Sequence, residues 1–344
     1  MKLLITTQAV DLDDPVLGFF HRWLEEFAKQ YESIEVICLR EGRHTLPANV
    51  HVHSLGKENE VSRAAYVFRF YAYIWNLRNR YDSVFVHMNQ EYVLLGGKFW
   101  WLWGKRVVLW RNHKKGSVFT RIAALFSRAV CYTSPAAYVA GFGNAVRMPI
   151  GIDTAAFAPP AAAPIPETVM FLGRIDPVKR PLVFLEALRL LRKKNIHVTA
   201  DVYGDPTDPH GAFAAQFRKE AHELASRGPL LLHPSVRNDT TPLLYGTHLI
   251  YVNLTPSGSF DKTIGEAMAC GCVVVAGNEA LRGVIPDRLL VDADSPASVA
   301  TGLEAALLLG ADERAALSAR SREYIVREHS LALLVERLKM IVGV

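Results

Sequence analysis

Two short stretches of this chain bring together side chains suited to holding a phosphorylated ligand. The first is FLGRIDPVKRP, residues 171–181, in which an apolar run ends at Gly173 and Arg174 and Lys179 bracket the turn residue Pro177 before a helical pattern begins. A guanidinium fork and an ammonium point charge on a strand-to-helix loop, with the unpaired amides of a helix start nearby, can take different oxygens of a diphosphate. The second is TPSGSFDKTIGEAMACG, residues 255–271, which carries Asp261, Lys262 and Glu266 just ahead of the apolar run CVVVAG. Lys262 lies immediately before a helix that opens near Thr263, so it can approach the same crevice. Glu266 has two readings on spacing alone. A carboxylate in a first helical turn is favourable against the helix dipole, and a carboxylate at such a place can also accept hydrogen bonds from a vicinal diol such as a ribose.

The elements that must position these residues are read from hydrophobic periodicity. In the first half KLLITT, EVICL, SVFVHM, RVVLW and AVCYTS read as strands, separated by helical patterns such as PVLGFFHRWLEEFAKQY, with Phe19, Phe20, Trp23, Leu24 and Phe27 on one face. After FAPPAAAPIPE, a proline-rich stretch without periodicity, the alternation resumes with TVMFLG, HVTADVYG, PLLLHPS, THLIYVNL, CVVVAG and LLVDAD. Strand and helix alternating without hairpin signals predicts parallel sheets covered by helices. The expected fold is α/β with two Rossmann-like domains, 1–156 and 168–327, joined by a linker at 157–167 and facing a central cleft. A C-terminal helix, 328–344, is expected to return to the N-terminal domain.

Composition bounds the possibilities. At 344 residues, half of them apolar and about a fifth charged, the chain has the profile of a folded globular protein with more than one core. Of its four cysteines, Cys38, Cys131 and Cys272 sit in or against apolar runs, and Cys270 stands one residue from Cys272, so buried free thiols are expected rather than disulfides or a metal site. The start, MKLLITTQAVDLDD, lacks a signal-peptide pattern, and no apolar stretch reaches the ~18 residues of a membrane span. The expected location is the cytoplasm, at the inner face of the cell membrane. The net charge of +5 is uneven: residues 1–160 hold 19 Lys and Arg against 13 Asp and Glu, and the remainder 20 against 21.

GRIDPVK at 173–179, GEAMACGCVVV at 265–275 and MPIGIDTAAFAP before them together resemble the retaining GT-B glycosyltransferases of family 4. The resemblance spans nearly the whole chain. It implies a nucleotide-diphosphate-sugar donor held mainly by the second domain, transfer to an acceptor hydroxyl on a glycan or a lipid carrier, and no metal or other cofactor. Carried over by position, Arg174 and Lys179 bind the donor diphosphate and stabilise the departing charge, with Gly173 at the turn. Glu266 holds the ribose hydroxyls and His113 stands beside the donor sugar. From their own positions, Lys262 is expected at the diphosphate, Asp261 at the sugar in place of the missing glutamate, and Thr263 among the donor-binding residues. Gly18 stands in the place of the family's glycine loop. The chain departs from the family at Gly258, where the first of two motif glutamates belongs. A sugar-nucleotide epimerase of the same fold and a catalytically silent binding protein are the alternatives.

Other features call for plainer explanations. His87, at a strand end in SVFVHM, has a weaker claim than His113. Asp11-Leu12-Asp13 resembles a metal-binding pair but lies before the first helix, where loop and capping roles suffice. The GFG at 141–143 lacks the third glycine of a dinucleotide fingerprint. Between Val61 and Arg128 there are 12 Lys and Arg against 2 Asp and Glu, interleaved with five of the six tryptophans. Aromatics suit a membrane–water interface and cations are drawn to anionic lipid, so peripheral contact with an anionic membrane is expected there; a helix whose aromatics are core and whose cations are solvated is the competing reading, and nucleic-acid binding by stacking and charge a third.

Overall fold

The computed structural model describes residues 1–257 and 260–343. Gly258, the departure from the family pattern, lies outside the described residues. The chain forms two compact units, Met1–Gly151 with Leu331–Val344, and Ile152–Ser330.

The first unit runs β1 (Lys2–Val10), α1 (Phe19–Ala28), β2 (Ser33–Glu41), β3 (Val50–Ser54), α2 (Arg63–Asn76), β4 (Ser83–His87), α3 (Gln90–Leu102), β5 (Arg106–Trp110), α4 (Val118–Leu125), β6 (Ala129–Tyr132) and β7 (Ala145–Arg147). Its seven strands lie in the order β3-β2-β1-β4-β5-β6-β7, and every pairing is parallel. The second unit runs β8 (Ile165–Leu172), α5 (Pro181–Lys193), β9 (Thr199–Tyr203), α6 (Ala212–Ala225), β10 (Leu230–His233), α7 (Thr241–Thr247), β11 (His248–Asn253), α8 (Lys262–Ala269), β12 (Val273–Ala276), α9 (Pro296–Leu307) and α10 (Ala311–His329). Its strands are also parallel, in the order β10-β9-β8-β11-β12. The last helix, α11 (Leu331–Val342), belongs to the first unit.

Parallel strands covered by helices on both faces are apolar through their middles, and here every residue of the interior strands β4 and β11 and of the edge strand β12 is buried, with Ser83, His87, His248 and Asn253 the polar residues at the ends of β4 and β11. In the second unit the winding reverses between β8 and β11. Their carboxyl ends therefore open a crevice that no crossover helix covers, the place where sheets of this kind hold ligands. The stretch 171–181 leaves β8 there, and 255–271 leaves β11.

Two details differ from the expected boundaries. The units divide at Gly151, ahead of the proline-rich run, and that run belongs to the second unit. Phe157 is buried against Tyr245 with ring centroids 6.3 Å apart, and its carbonyl accepts from Arg322 at 2.9 Å, so an aromatic anchor ties the segment down. LLVDAD adds no strand and contributes only a single parallel bridge between Ala276 and Leu290. Two short edge strands, β3 with five residues and β7 with three, are not among the expected strands.

Helix α11 completes the first core. Leu331, Leu334, Val335, Leu338 and Val342 are buried in one cluster with Trp23 and Phe27 of α1. Trp23 Nε1 donates to the Gly151 carbonyl at 3.0 Å. Gly151 has φ +72°, and a Cβ there would lie 2.7 Å from both Leu334 and Trp23, so the chain can leave the unit at this point only through glycine. Leu334→Ala should open a cavity in that cluster and destabilise the first unit by about 2–5 kcal/mol. A lower urea midpoint, followed by the fluorescence of Trp23 and its buried neighbours, is the expected result.

Candidate functional site

Backbone geometry sets the site before any side chain does. Gly173 N–H donates to Tyr203 O at 3.0 Å, joining the loop after β8 to the end of β9. Gly173 has φ +156° and Gly204 φ +151°, and a Cβ on Gly204 would stand 1.9 Å from the Gly173 carbonyl oxygen. Only glycine at 204 permits that approach. The single-turn 3-10 helix Pro177–Lys179 follows, capped by Asp176, whose carboxylate accepts from Val178 N–H at 2.9 Å. Lys179 then folds back past Gly173 so that its ammonium reaches Thr255 Oγ1 at 3.0 Å and Asp261 Oδ2 at 2.5 Å. Arg180, in the left-handed region at φ +55°, grips Asp294 through Nε and Nη2 at 2.5 and 2.8 Å and donates to Leu254 O at 3.0 Å. The loops leaving β8 and β11 are thus tied together at two consecutive cations.

Asp261 is the hub. Its Oδ2 accepts from Lys179, from Asn253 Nδ2 at 3.1 Å and from Thr255 Oγ1 at 2.9 Å, and its Oδ1 accepts from the Thr263 N–H at 3.3 Å and hydroxyl at 3.0 Å. Burial works to raise the carboxyl pKa, but the Lys179 charge and the hydrogen bonds from Lys179, Asn253 and Thr255 outweigh it and hold Asp261 well below the usual carboxylate range. A carboxylate offers about four lone-pair sites, and these donors fill them. The sequence expectation that Asp261 faces a donor sugar therefore meets a carboxylate already committed to capping α8 and anchoring Lys179.

Glu266 and Lys262 form the second charged pair. Glu266 is 2% exposed and is the fifth residue of α8, past the first turn where the dipole reading places it, and its carboxylate accepts from Asn238 Nδ2 at 2.9 Å and Tyr245 Oη at 3.3 Å. Burial raises its pKa, opposed by Lys262 and by the hydrogen bond from Asn238. Burial lowers Lys262 to about 7, opposed by Glu266. Beside this pair the carbonyl oxygen of Asn238, Oδ1, is buried with no hydrogen-bond partner among the described residues. An orphaned acceptor next to a carboxylate with unused lone pairs is an arrangement that a pair of hydroxyl donors would satisfy. Asn238 and Tyr245 escaped sequence reasoning because neither stands within a motif. A polar residue just before a short helix was the available signal.

The remaining expected residues separate clearly. Arg174 is exposed at the crevice mouth, with no ion pair or side-chain hydrogen bond among the described residues. Gly173, Lys179, Asp261, Thr263, Lys262 and Glu266 all gather at the β8–β11 crevice of the second unit. Gly18 and His113 lie in the first unit. Gly18 is the buried N-cap of α1, where a Cβ would sit 2.7 Å from the Asp14 carbonyl oxygen, so the fold itself requires glycine there. His113 is exposed after β5, its Nδ1 accepting from the Lys115 N–H at 2.9 Å, which leaves Nε2 as the outward atom. His87 is a core residue, stacked on Phe20 at 4.2 Å and 3.1 Å from Thr7 Oγ1. Asp13 pairs with Arg43 at 2.8 and 2.9 Å, and Asp14 and Asp11 with Arg40 at 2.5 and 3.4 Å, which explains the acidic loop without a metal. No group of three or more metal-ligating side chains gathers among the described residues.

The basic aromatic segment divides between core and surface. Phe70, Ile74, Trp100 and Trp110 are buried, whereas Phe68 (77% exposed), Trp75, Trp101, Leu102, Phe119 and Leu125 (84%) point outward from α2, α3 and α4. Between α2 and α3 a hollow of about 420 Å³ is lined by Tyr71, Ala72, Ile74, Trp75, Phe99 and Trp103. Arg78 sits over the Trp75 ring at 4.7 Å. Among the described residues no helix is long and apolar enough to cross a membrane.

Comparison with known proteins accords with this geometry. Residues 166–308 match the family model of the glycosyl transferases group 1. A D-inositol 3-phosphate glycosyltransferase of Xylanimonas cellulosilytica is 29% identical over 195 residues, covering 51% of this chain and 45% of that protein, so the chain spans about half the length of that relative. Among solved structures, HepE of Anabaena in complex with UDP and glucose superposes with a TM-score of 0.77 at 16% identity, over 99% of this chain and 98% of that one. Sucrose-phosphate synthase of Thermosynechococcus elongatus gives 0.78 at 16% identity, over 99% and 98%. At such identities these likenesses show the fold, which is GT-B.

The Lys262 environment has a measurable consequence. The folded protein releases this proton near pH 7 and the unfolded chain near 10.5, so between those values the unfolded state binds more protons and stability should rise with pH. Lys262→Met removes the titrating group. Its melting temperature should lose the rise between pH 7 and 10 that the parent protein shows; parallel profiles for the two proteins would contradict the assignment.

Proposed function

We propose, for a chain whose residues 166–308 match the family model of the glycosyl transferases group 1, that it moves a sugar from a nucleoside-diphosphate sugar to an acceptor hydroxyl with retention of anomeric configuration. The observation that carries this is the gathering of Lys179, Lys262, Glu266 and Asn238 at the β8–β11 crevice, with Arg174 exposed at its mouth. The diphosphate meets Arg174, Lys179 and Lys262. The ribose hydroxyls donate to Glu266 and to the orphaned Asn238 oxygen. The match to HepE, solved with UDP and with UDP-glucose, supports a uridine donor as the first to test.

In such a transfer the bond from the anomeric carbon to the diphosphate oxygen breaks, and the electron pair leaves with the nucleoside diphosphate. Cations fixed at that oxygen stabilise the charge as it develops, at little reorganisation cost. Arg174 and Lys179 supply that stabilisation. The acceptor hydroxyl attacks from the face the leaving group departs, and its proton passes to the departing phosphate, so the enzyme needs no nucleophile of its own.

The acceptor is a glycan or a lipid-linked saccharide handled at an anionic membrane. The outward aromatics of α2, α3 and α4, interleaved with the exposed Lys98, Arg121 and Arg128, support this. Each cation near such a surface contributes roughly 1 kcal/mol, and the aromatic rings favour the headgroup level.

Three experiments test these assignments. A saturating nucleoside diphosphate at about 100 times its Kd stabilises by about 2.7 kcal/mol, so one of UDP, GDP or ADP should raise the melting temperature. Arg174→Ala should lower kcat/KM for the donor by about 10²–10³, the scale of losing one donor to the developing charge. For the surface, the protein should float with vesicles containing phosphatidylglycerol and not with neutral ones, and Trp101→Ala with Leu125→Ala should weaken flotation. Equal recovery with both vesicle types would remove the electrostatic part of the assignment.

A further inference from the structure

The Lys179–Asp261 pair presents a difficulty for a phosphate site. The ammonium has three N–H donors, and two are engaged in the ligand-free protein, by Thr255 Oγ1 at 3.0 Å and Asp261 Oδ2 at 2.5 Å. The side chains of Lys179 and Asp261 are 17% and 12% exposed, so water screens the pair little. A diphosphate approaching Lys179 therefore finds one free donor and a neighbouring carboxylate of its own sign. That carboxylate also caps α8, standing where the helix's first amides would otherwise favour an anion. Two strand-end residues, Asn253 and Thr255, both donate to it, so the fold holds the negative charge in place rather than letting it swing aside.

We propose that Asp261 is a positioning residue that fixes Lys179 and offsets its charge, weakening the grip of the site on the nucleoside diphosphate so that product is released. The inference rests on the donor site proposed above and assigns to it a control of product affinity. A lysine free of its carboxylate would bind ground-state diphosphate more tightly and less directionally. Uniform tightening of substrate and product does not speed a transfer, whereas a cation held at the departing oxygen does. Asp261 thus trades affinity for turnover. The three hydroxyl and amide donors from Thr255, Asn253 and Thr263 keep it oriented for that task.

Asp261→Asn isolates the charge, because asparagine remains a good N-cap while the anion is lost. The variant should bind UDP, or whichever of UDP, GDP and ADP the parent protein binds, about tenfold more tightly by titration calorimetry, the scale of one charge-assisted hydrogen bond. With donor and acceptor present, KM for the donor should fall together with kcat. A residue that merely stabilised α8 would weaken binding and leave no such opposition between the two constants. If the parent protein binds none of the three nucleotides, the donor site itself is wrong and this inference falls with it. If the parent binds and a folded Asp261→Asn variant binds equally or more weakly, the donor site stands and the role of Asp261 is overturned. Should the variant fail to fold, Thr255→Val removes one partner of each side chain. It should tighten nucleotide binding about threefold, again on the scale of a partial hydrogen bond, and unchanged or weaker binding would contradict the proposal.

Discussion

The second unit depends on one nearly buried carboxylate satisfying donors from three separate segments. Asp261 receives Lys179 from the loop after β8, Asn253 and Thr255 from the end of β11, and the first turn of α8. A buried ion pair is stable only when further hydrogen bonds saturate it, because desolvation of both charges costs as much as their attraction returns. Here the saturation is complete at Asp261. The same bonds that make the charge tolerable also fix the loop that holds Lys179 and Arg180 relative to α8, which holds Glu266.

The neighbouring Glu266–Lys262 pair is held differently. Both groups are displaced toward their neutral forms by burial, and Glu266 keeps accepting capacity beyond its bonds to Asn238 and Tyr245. One pair is closed and ionised, the other strained and open. A site containing both has a rigid cationic end and an unsatisfied hydroxyl-accepting end, which matches the two chemical halves of a nucleoside diphosphate: phosphates that need fixed positive charge, and a ribose diol that needs acceptors. Parallel β8 and β11, side by side at the reversal of strand order, set that spacing.

Much of this was legible in the sequence, and the exceptions have physical causes. Alternating apolar runs without hairpin signals indicated parallel sheets, and the central strands bear this out, since burial on both faces forces continuous apolarity. The edge strands β3 and β7 went unread because β3 alternates valine with polar residues over only five positions and β7 has three residues in all. Phe157 turned a proline-rich stretch into a packed part of the second unit, since one aromatic anchor outweighs the absence of regular structure around it. At the site, residue types and spacing singled out Lys179, Lys262 and Glu266. The commitment of Asp261 to Lys179 could not be read, because it depends on two residues far apart in sequence meeting at adjacent strand ends. Asn238, in the turn before α7, and Tyr245, within α7, were missed because neither stands within a motif and both reach Glu266 only through the fold. The aromatic helix α2 split its rings between core and solvent, which composition alone cannot apportion.

The central claim is that the β8–β11 crevice of the second unit binds a nucleoside diphosphate. Amide hydrogen exchange with and without UDP, GDP and ADP tests it most directly, because it reports location as well as binding. The account predicts that one nucleotide slows exchange in residues 173–180, 235–241 and 262–268, with little change in β3, α6 or the edge of the first sheet. Protection by none of the three, or protection confined to the first unit, would contradict it.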